Sequence, residues 1–274
     1  MRYLPDAITT RTLDTTALRH HFLVQGLFTP GAITLEILEL DRAVVGGAVP
    51  THEPLTLLAP AALRAEYFCE HRELGVLNTG GAGTVEVDGV SHALGAHDAL
   101  YIGRGARDVR FHSADANTPA RYYLISYPAH AVFPTARITP AEADVLSLGT
   151  PESANQRQVR RYIHAGGVKS AQLVMGVTVL APGSVWNTMP AHTHHRRSEI
   201  YLYFDLPAEA IVLHLVGEPT ETKTLVVRNG EVALSPGWSV HSGCGTSAYA
   251  FCWAMGGENQ DYADMDPVAM SVLR

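Results

Sequence analysis

Residues 189–204 read MPAHTHHRRSEIYLYF, and this stretch carries the strongest chemical signal in the sequence. His192 and His194 are two residues apart, so on a β-strand both imidazoles project from the same face. Glu199 has the wrong parity for one unbroken strand, which predicts a turn or bulge at residues 196–198 that resets the phase. The stretch therefore predicts two histidines and a glutamate that face one point inside a β-structure.

A fourth ligand has to come from a distant strand, and the segment LSPGWSVH supplies His241 after a Pro236-Gly237 turn. Three imidazoles and one carboxylate suit a borderline divalent ion such as zinc, manganese, iron or nickel. A single histidine is more often an ordinary core or surface residue, and the chain has 14 of them. The combined spacing nevertheless favours one divalent metal per chain. The predicted ligands are His192, His194, Glu199 and His241.

Short β-branched and aromatic runs recur between Gly, Pro and Asn turns along the 274 residues. These predicted strands include residues 73–78, 99–102, 120–126, 172–180 and 211–216. Helix signals are confined to residues 14–24, opened by an Asp cap, and residues 139–148, opened by Thr139 and Pro140. Many short strands and few helices predict a mainly β fold, either a sandwich or a barrel.

The segment 66–112 repeats the spacing of the segment 192–254 without its ligands. Counting back from Glu73 by the offsets that separate Glu199 from its two histidines leads to Phe68 and Glu66. In the same way, Asp98, Gly103 and Asp108 match Glu231, Pro236 and His241. We predict a metal-free half over residues 1–150 and a metal-binding half over residues 151–274, with the boundary in the polar segment 149–158. One continuous two-sheet body is the alternative.

The composition excludes several classes of protein. Twenty Lys and Arg residues against 27 Asp and Glu residues form no basic stripe, which argues against a nucleic-acid partner. No run of about 18 apolar residues and no apolar leader are present, so we predict no membrane span and a cytoplasmic location. The three cysteines form no CxxC pair, which fits reducing surroundings, and Cys244 is left out of the predicted metal site.

Longer strings around these residues resemble the 5-keto-4-deoxyuronate isomerase family of bacterial pectin breakdown, within the cupin superfamily. They are NTMPAHTHHRRSE, SPGWSVHSGCGT and GENQDYADMD in the second half, with ELGVLNTGGAGTVEVDG and DALYIGRGA in the first. The resemblance covers the chain from about residue 20 to the C-terminus. His195, Ser198 and His71 stand where the family leads us to expect an acidic residue, Met and Arg, and none of the three is a predicted metal ligand.

The resemblance implies two cupin-like β-barrel (jelly-roll) halves with a few short helices, zinc bound only in the second half, and a homohexamer. The implied reaction is an aldose–ketose isomerisation that converts 5-dehydro-4-deoxy-D-glucuronate to 3-deoxy-D-glycero-2,5-hexodiulosonate, so the partner is a small sugar-acid substrate. A cation at the reacting carbonyl would stabilise negative charge on oxygen. The isomerisation needs no redox change.

The sequence leaves the general base open among Glu258, Lys169 and the inward-facing Tyr203. Equally, Glu258 suits a solvated loop and Tyr203 a barrel core. The substrate carboxylate calls for a guanidinium, because Arg donates two parallel hydrogen bonds to a carboxylate. The candidate carboxylate-binding arginines are Arg160, Arg161, Arg196 and Arg197.

Two other functions remain open, because one barrel fold hosts many activities. A cupin dioxygenase holds iron with the same kind of ligands and differs in requiring oxygen. A non-catalytic sugar-acid-binding cupin would use the metal structurally, so that metal loss would unfold the protein.

Overall fold

The computed structural model describes residues 1–274, and most of its regular structure is strand. The helical elements are α1 (Ala7–Thr10), α2 (Thr15–Phe22) and two 3₁₀ turns, Leu40–Arg42 and Ala61–Leu63. The Asp14 carboxylate accepts a hydrogen bond from the backbone N–H of Ala17 and caps α2, as predicted. The helix ends at Phe22 because Leu23 and Val24 pair as a strand. No helix is long and apolar enough to cross a membrane.

The strands of the first half of the chain are short and separated by tight turns. They are β1 (Leu23–Val24), β2 (Ile33–Ile37), β3 (Val44–Ala48), β4 (Leu55–Thr56), β5 (Arg72–Asn78), β6 (Gly83–Val87), β7 (Val90–Leu94), β8 (Ala99–Ile102), β9 (Val109–Ser113), β10 (Tyr122–Pro128) and β11 (Ala136–Ile138).

Twelve further strands follow in the second half. They are β12 (Asp144–Leu148), β13 (Arg157–Ile163), β14 (Val174–Leu180), β15 (Trp186–Asn187), β16 (His192–Thr193), β17 (Arg197–Phe204), β18 (Val212–Glu218), β19 (Glu221–Val227), β20 (Val232–Ser235), β21 (Gly243–Gly245), β22 (Ala250–Gly257) and β23 (Asp266–Pro267). The five runs predicted as strands agree with β5, β8, β10, β14 and β18 to within two residues.

The predicted helix over residues 139–148 is wrong. The backbone N–H and hydroxyl of Thr139 donate to the Glu142 carboxylate, so the capping contact forms. It closes only a turn, and the chain then enters β12, which lies beside β13 at the edge of a sheet. Pairing with a neighbouring strand has overridden a local helix signal.

The chain divides into two compact units, of which the first comprises Met1, residues 26–144 and residues 162–174. This unit is formed by a six-stranded sheet in the order β11-β8-β5-β10-β3-β2 and a four-stranded sheet in the order β4-β9-β6-β7. Fully buried side chains from both sheets make one core, including Leu74, Leu100 and Phe111. Two antiparallel sheets around one core are the jelly-roll arrangement that the sequence predicts.

The second unit comprises residues 2–25, 145–161 and 175–274. Its larger sheet has the order β1-β20-β17-β22-β14-β13-β12, its smaller one β15-β21-β18-β19, and β16 pairs with β23. Strand β17 lies between β20 and β22 in the larger sheet, and all its residues are buried. The first unit thus takes residues 162–174 from the predicted second half, and the second unit takes residues 2–25 and 145–150 from the predicted first half. A single boundary at residue 150 stays a prediction.

Candidate metal centre and its cavity

Strands β16 and β17, with the loop between β20 and β21, bring the four predicted ligands together in the second unit. His192 lies on β16, and the chain bends at residues 195–196 before β17 carries Glu199. The predicted break in strand phase is present, one residue earlier than expected. His241 follows the turn in which the Ser239 N–H donates to the Pro236 carbonyl.

Gly237 joins the two ligand-bearing segments. Its carbonyl accepts from the His194 N–H at 2.9 Å, and a Cβ at this position would lie 2.3 Å from the His194 carbonyl oxygen. Such a distance is shorter than any side chain tolerates, so the backbones can approach this closely only at glycine. The Pro-Gly turn therefore sets the position of His241 relative to the histidine pair.

The donor atoms of the four residues converge on one point. His192 Nε2 lies 3.0 Å from His241 Nε2, and the Glu199 Oε2 lies 3.0 Å from His194 Nε2 and 2.9 Å from His241 Nε2. All four donor atoms lie within 4.8 Å of one another. Four ligands at zinc-like bond lengths of about 2.0–2.1 Å are separated by roughly 3.3 Å in a tetrahedron. The cluster fits one metal ion.

Hydrogen bonds on the far side of the rings orient two of the histidines. His194 Nδ1 lies 2.9 Å from the Asp264 carbonyl oxygen, and His241 Nδ1 lies 3.3 Å from that of Ser239. A carbonyl only accepts, so each Nδ1 carries the proton and each Nε2 is directed at the cluster. This is the arrangement that metal-binding histidines usually show.

The electrostatics of the cluster favour the neutral imidazole of His192 and the ionised carboxylate of Glu199, which are the forms that bind a metal ion. Burial, and secondarily the neighbouring His241, lower the pKa of His192 to about 3, so its imidazole is neutral. Burial disfavours the ionised Glu199, but the charge of His241 and hydrogen bonds from both histidines hold the pKa of this carboxyl well below its usual range. Burial likewise opposes protonated His194, yet its hydrogen bond to Glu199 raises its pKa. A cation would compete with that proton for Nε2.

A cavity of about 240 Å³ opens beside the cluster, and His192, His194 and Glu199 form part of its wall. The remaining wall is mostly apolar or aromatic, with Arg157 as its one further charged group. It comprises Leu146, Leu148, Arg157, Val159, Thr178, Thr188, Met189, Pro190, Tyr201, Phe251, Trp253, Met255, Tyr262 and Met265. The volume lies below the roughly 300–1,000 Å³ of pockets for drug-sized ligands, so the cavity suits a small molecule.

None of the three candidate bases lines this cavity. Glu258 is exposed, and its carboxylate accepts from Arg196 Nε at 3.1 Å. Lys169 is exposed and belongs to the first unit. Tyr203 is fully buried, and its hydroxyl pairs with His214 Nδ1 at 2.7 Å. Burial raises the pKa of Tyr203 well above its ordinary value. Their catalytic roles stay predictions, and these positions lend them no support.

The four candidate arginines also lie outside the cavity wall. Arg160 donates to Gln158 on the exposed side of β13, while Arg161 stacks 5.3 Å from the centre of the Tyr262 ring. Arg196 pairs with Glu258, and the buried Arg197 donates to the backbone carbonyls of residues 261 and 264. Arg197 thereby fastens the loop that carries Tyr262 and Met265 into the cavity.

Three cavity residues escaped the sequence reasoning: Arg157, Tyr201 and Tyr262. Tyr201 lies two residues before Tyr203 on the same face of β17, and its hydroxyl lies 2.9 Å from the Thr188 hydroxyl. Arg157 carried a readable signal. In the run RQVRRYI the side chains of residues 157, 159 and 161 share one strand face, and Val159 is buried there.

Two jelly-roll units, one of which brings three histidines and a glutamate together, define a cupin with a candidate metal site. The profile of the KduI/IolB family matches residues 29–270. The chain therefore belongs to the KduI/IolB family.

Two curated relatives have the name 4-deoxy-L-threo-5-hexosulose-uronate ketol-isomerase. The protein from Formosa agariphila is 50% identical over 273 residues, covering 100% of this chain and 98% of its own. The one from Lachnoclostridium phytofermentans is 50% identical over 260 residues, covering 95% and 94%. The crystal structure of an IolB-like protein from Salmonella typhimurium LT2 is 16% identical, with a TM-score of 0.73, and covers 90% of this chain and 96% of that one. At this identity it supports the fold alone.

Proposed function

We propose that this protein is a metal-dependent ketol-isomerase that acts on 4-deoxy-L-threo-5-hexosulose uronate, the substrate named in its relatives. The convergence of His192, His194, Glu199 and His241 beside a cavity for a small molecule carries the proposal. Full-length identity of 50% to proteins with that name supports the reaction class. Isomerisation moves a proton between C1 and C2. The carbonyl at one of these carbons is reduced to a hydroxyl while the hydroxyl at the other is oxidised to a carbonyl.

We propose that these four residues hold a zinc ion. The donor set of nitrogen and carboxylate oxygen suits zinc, and no soft sulfur donor belongs to the cluster. When bound, the ion supplies a Lewis acid that stabilises negative charge on a substrate oxygen.

Two tyrosines of the cavity wall donate hydrogen bonds to the substrate, and apolar residues of the wall exclude water from it. Burial, and secondarily the Glu199 carboxylate, raise the pKa of Tyr201 well above its ordinary value, and burial also raises that of Tyr262. Both phenols keep their protons at neutral pH and act as hydrogen-bond donors to oxygen rather than as bases. The apolar residues Phe251, Trp253 and Met255 exclude water, which strengthens these interactions.

Two further properties belong to the proposal. The family resemblance supports a homohexamer, and the edge strand β12 supports a subunit contact because it exposes Val145 and Leu148. Light scattering should then give six times the chain mass of 29.6 kDa. The three free cysteines support a cytoplasmic location.

The test is to measure metal content and isomerase activity of the purified protein with and without oxygen. We expect one zinc per chain and equal rates in both conditions. His241→Ala removes a ligand that is 1% exposed, so it should lose the metal and reduce kcat/KM by at least about 100-fold. His130→Ala, which changes an exposed histidine, is the matched control and should behave as the wild type.

Three outcomes would contradict the proposal. Full activity of metal-free His241→Ala would exclude the metal-dependent reaction. A product that forms only with oxygen would indicate a dioxygenase. A folded, metal-loaded wild type that binds sugar acids without converting them would indicate a binding protein.

A further inference from the structure

Strand β13 presents one charged side chain to the cavity. Arg157 and Val159 lie in the cavity wall, whereas Gln158 between them is exposed. Successive side chains of a strand point to opposite faces, so the backbone of β13 fixes the side on which the Arg157 guanidinium lies.

The Arg157 guanidinium is partly buried and has no carboxylate partner. Of its five N–H donors, Nη1 donates to the Asn155 carbonyl at 2.8 Å, and no ion pair engages the group. Burial lowers the pKa of Arg157. Glu199 is the one acidic residue in the cavity wall, and His194 and His241 already engage its carboxylate. The cavity therefore holds a positive charge for which the protein provides no counter-ion.

Neighbouring arginines differ in this respect. Arg196 pairs with Glu258, and Arg197 is occupied by backbone carbonyls of the loop at residues 261–264. A buried or half-buried charge is costly unless it is paired, and an anionic ligand would provide the partner. Three of the four candidate metal ligands, His192, His194 and Glu199, lie in the wall of the same cavity, where an oxygen-rich group at another point of the ligand can reach the cluster.

We propose that Arg157 binds the carboxylate of the substrate and is the residue that selects sugar acids over neutral sugars. The assignment rests on the proposed function for the identity of the sugar acid. In a hexuronate the carboxylate and the C1 carbonyl lie at opposite ends of the carbon chain. Arg157 anchors the carboxylate end, which positions C1 and C2 at the ligand cluster. Arg157 is thus a binding and orienting residue, and it takes no part in proton transfer.

The test compares the metal-loaded wild type with Arg157→Gln and Arg157→Lys, using Arg228→Gln as the control that removes an exposed charge from the same unit. Steady-state kinetics on 4-deoxy-L-threo-5-hexosulose uronate give kcat and KM. Calorimetric titration with D-glucuronate and D-glucose as probes gives binding without turnover. Metal content and circular dichroism establish that each variant is loaded and folded.

Loss of a charged hydrogen-bond partner weakens binding by roughly 10- to 150-fold, so we expect KM of Arg157→Gln to rise by that factor while zinc content is unchanged. Arg157→Lys keeps the charge but loses the paired donors, and its KM should lie between those of the wild type and Arg157→Gln. D-glucuronate binding should fall in the same order, whereas Arg228→Gln should match the wild type. If Arg157→Gln does not fold, the rise in KM of Arg157→Lys decides.

The assignment would be overturned if Arg157→Gln kept its KM within twofold of the wild-type value and also kept its preference for D-glucuronate over D-glucose within twofold. This holds even if the isomerase is active. The converse result separates the two proposals. If the wild type binds D-glucuronate without isomerising the uronate, and Arg157→Gln abolishes that binding, the proposed function fails and the role of Arg157 stands. A wild type that neither turns over nor binds a uronate overturns both.

Discussion

Glu73→Gln should destabilise the first unit strongly, although the substitution keeps the size and shape of the side chain. Glu73 is fully buried on β5, and its carboxylate accepts four hydrogen bonds. The Oε1 atom accepts from the backbone N–H groups of Gln172 at 2.8 Å and Leu173 at 2.7 Å. The Oε2 atom accepts from the Ala171 N–H at 2.6 Å and the Tyr101 hydroxyl at 2.7 Å.

The magnitude follows from the number of donors. A Gln side chain puts an NH₂ group in place of one oxygen, where it faces either the N–H groups of Gln172 and Leu173 or the N–H of Ala171, because the Tyr101 hydroxyl can turn to accept. In either orientation at least two buried N–H donors, counting those of the amide itself, lack an acceptor at about 1–3 kcal/mol each, which gives about 2–6 kcal/mol. Folded domains are stable by only about 5–15 kcal/mol, so the effect is a large part of the total.

The assay is thermal and urea unfolding followed by circular dichroism, with Glu66→Gln as the control because Glu66 is exposed. We expect a decrease in Tm of roughly 5–20 °C for Glu73→Gln and less than about 2 °C for the control. A Tm of Glu73→Gln within 2 °C of wild type, in a fold unchanged by circular dichroism, would refute the reasoning, because it would mean that the four donors find other partners at no cost.

Two further predictions concern the second unit. Burial lowers the pKa of His214 to about 3, so between pH 6.5 and 3 the unfolded chain binds a proton that the folded chain does not. In the metal-free protein the free energy of unfolding should therefore fall as pH decreases through this window, by about 1.4 kcal/mol per pH unit for this residue. His214→Gln should reduce the slope, and an unchanged slope in urea titrations would contradict this. Arg197→Met should cost about 2–4 kcal/mol, because Arg197 is 3% exposed and donates to the carbonyls of residues 261 and 264. Limited proteolysis should then cut the loop around Tyr262, and a cleavage pattern identical to wild type would exclude a fastening role.

The metal-ligand cluster was readable from the sequence because strand geometry is local. His192 and His194 share a face at a spacing of two, and the odd spacing of five from His194 to Glu199 required a break that the structure shows at residues 195–196. The same alternation places Ile200, Leu202 and Phe204 on one apolar face of this strand, and all three are buried. Spacing alone could not show which of the candidate bases and arginines line the cavity, because it does not say which face of a neighbouring strand meets the cavity.

The β character of the chain, the four candidate ligands and the absence of their counterparts from the first half all follow from the amino-acid sequence alone. These properties depend on side-chain alternation and turn chemistry within about ten residues. Three features become visible only in the folded protein: residues 144–148 pair as a strand, Arg157 rather than its neighbours lines the cavity, and Glu73 meets backbone N–H groups 98 to 100 residues further along the chain. Contacts between distant segments depend on sheet order and register, which local spacing does not encode.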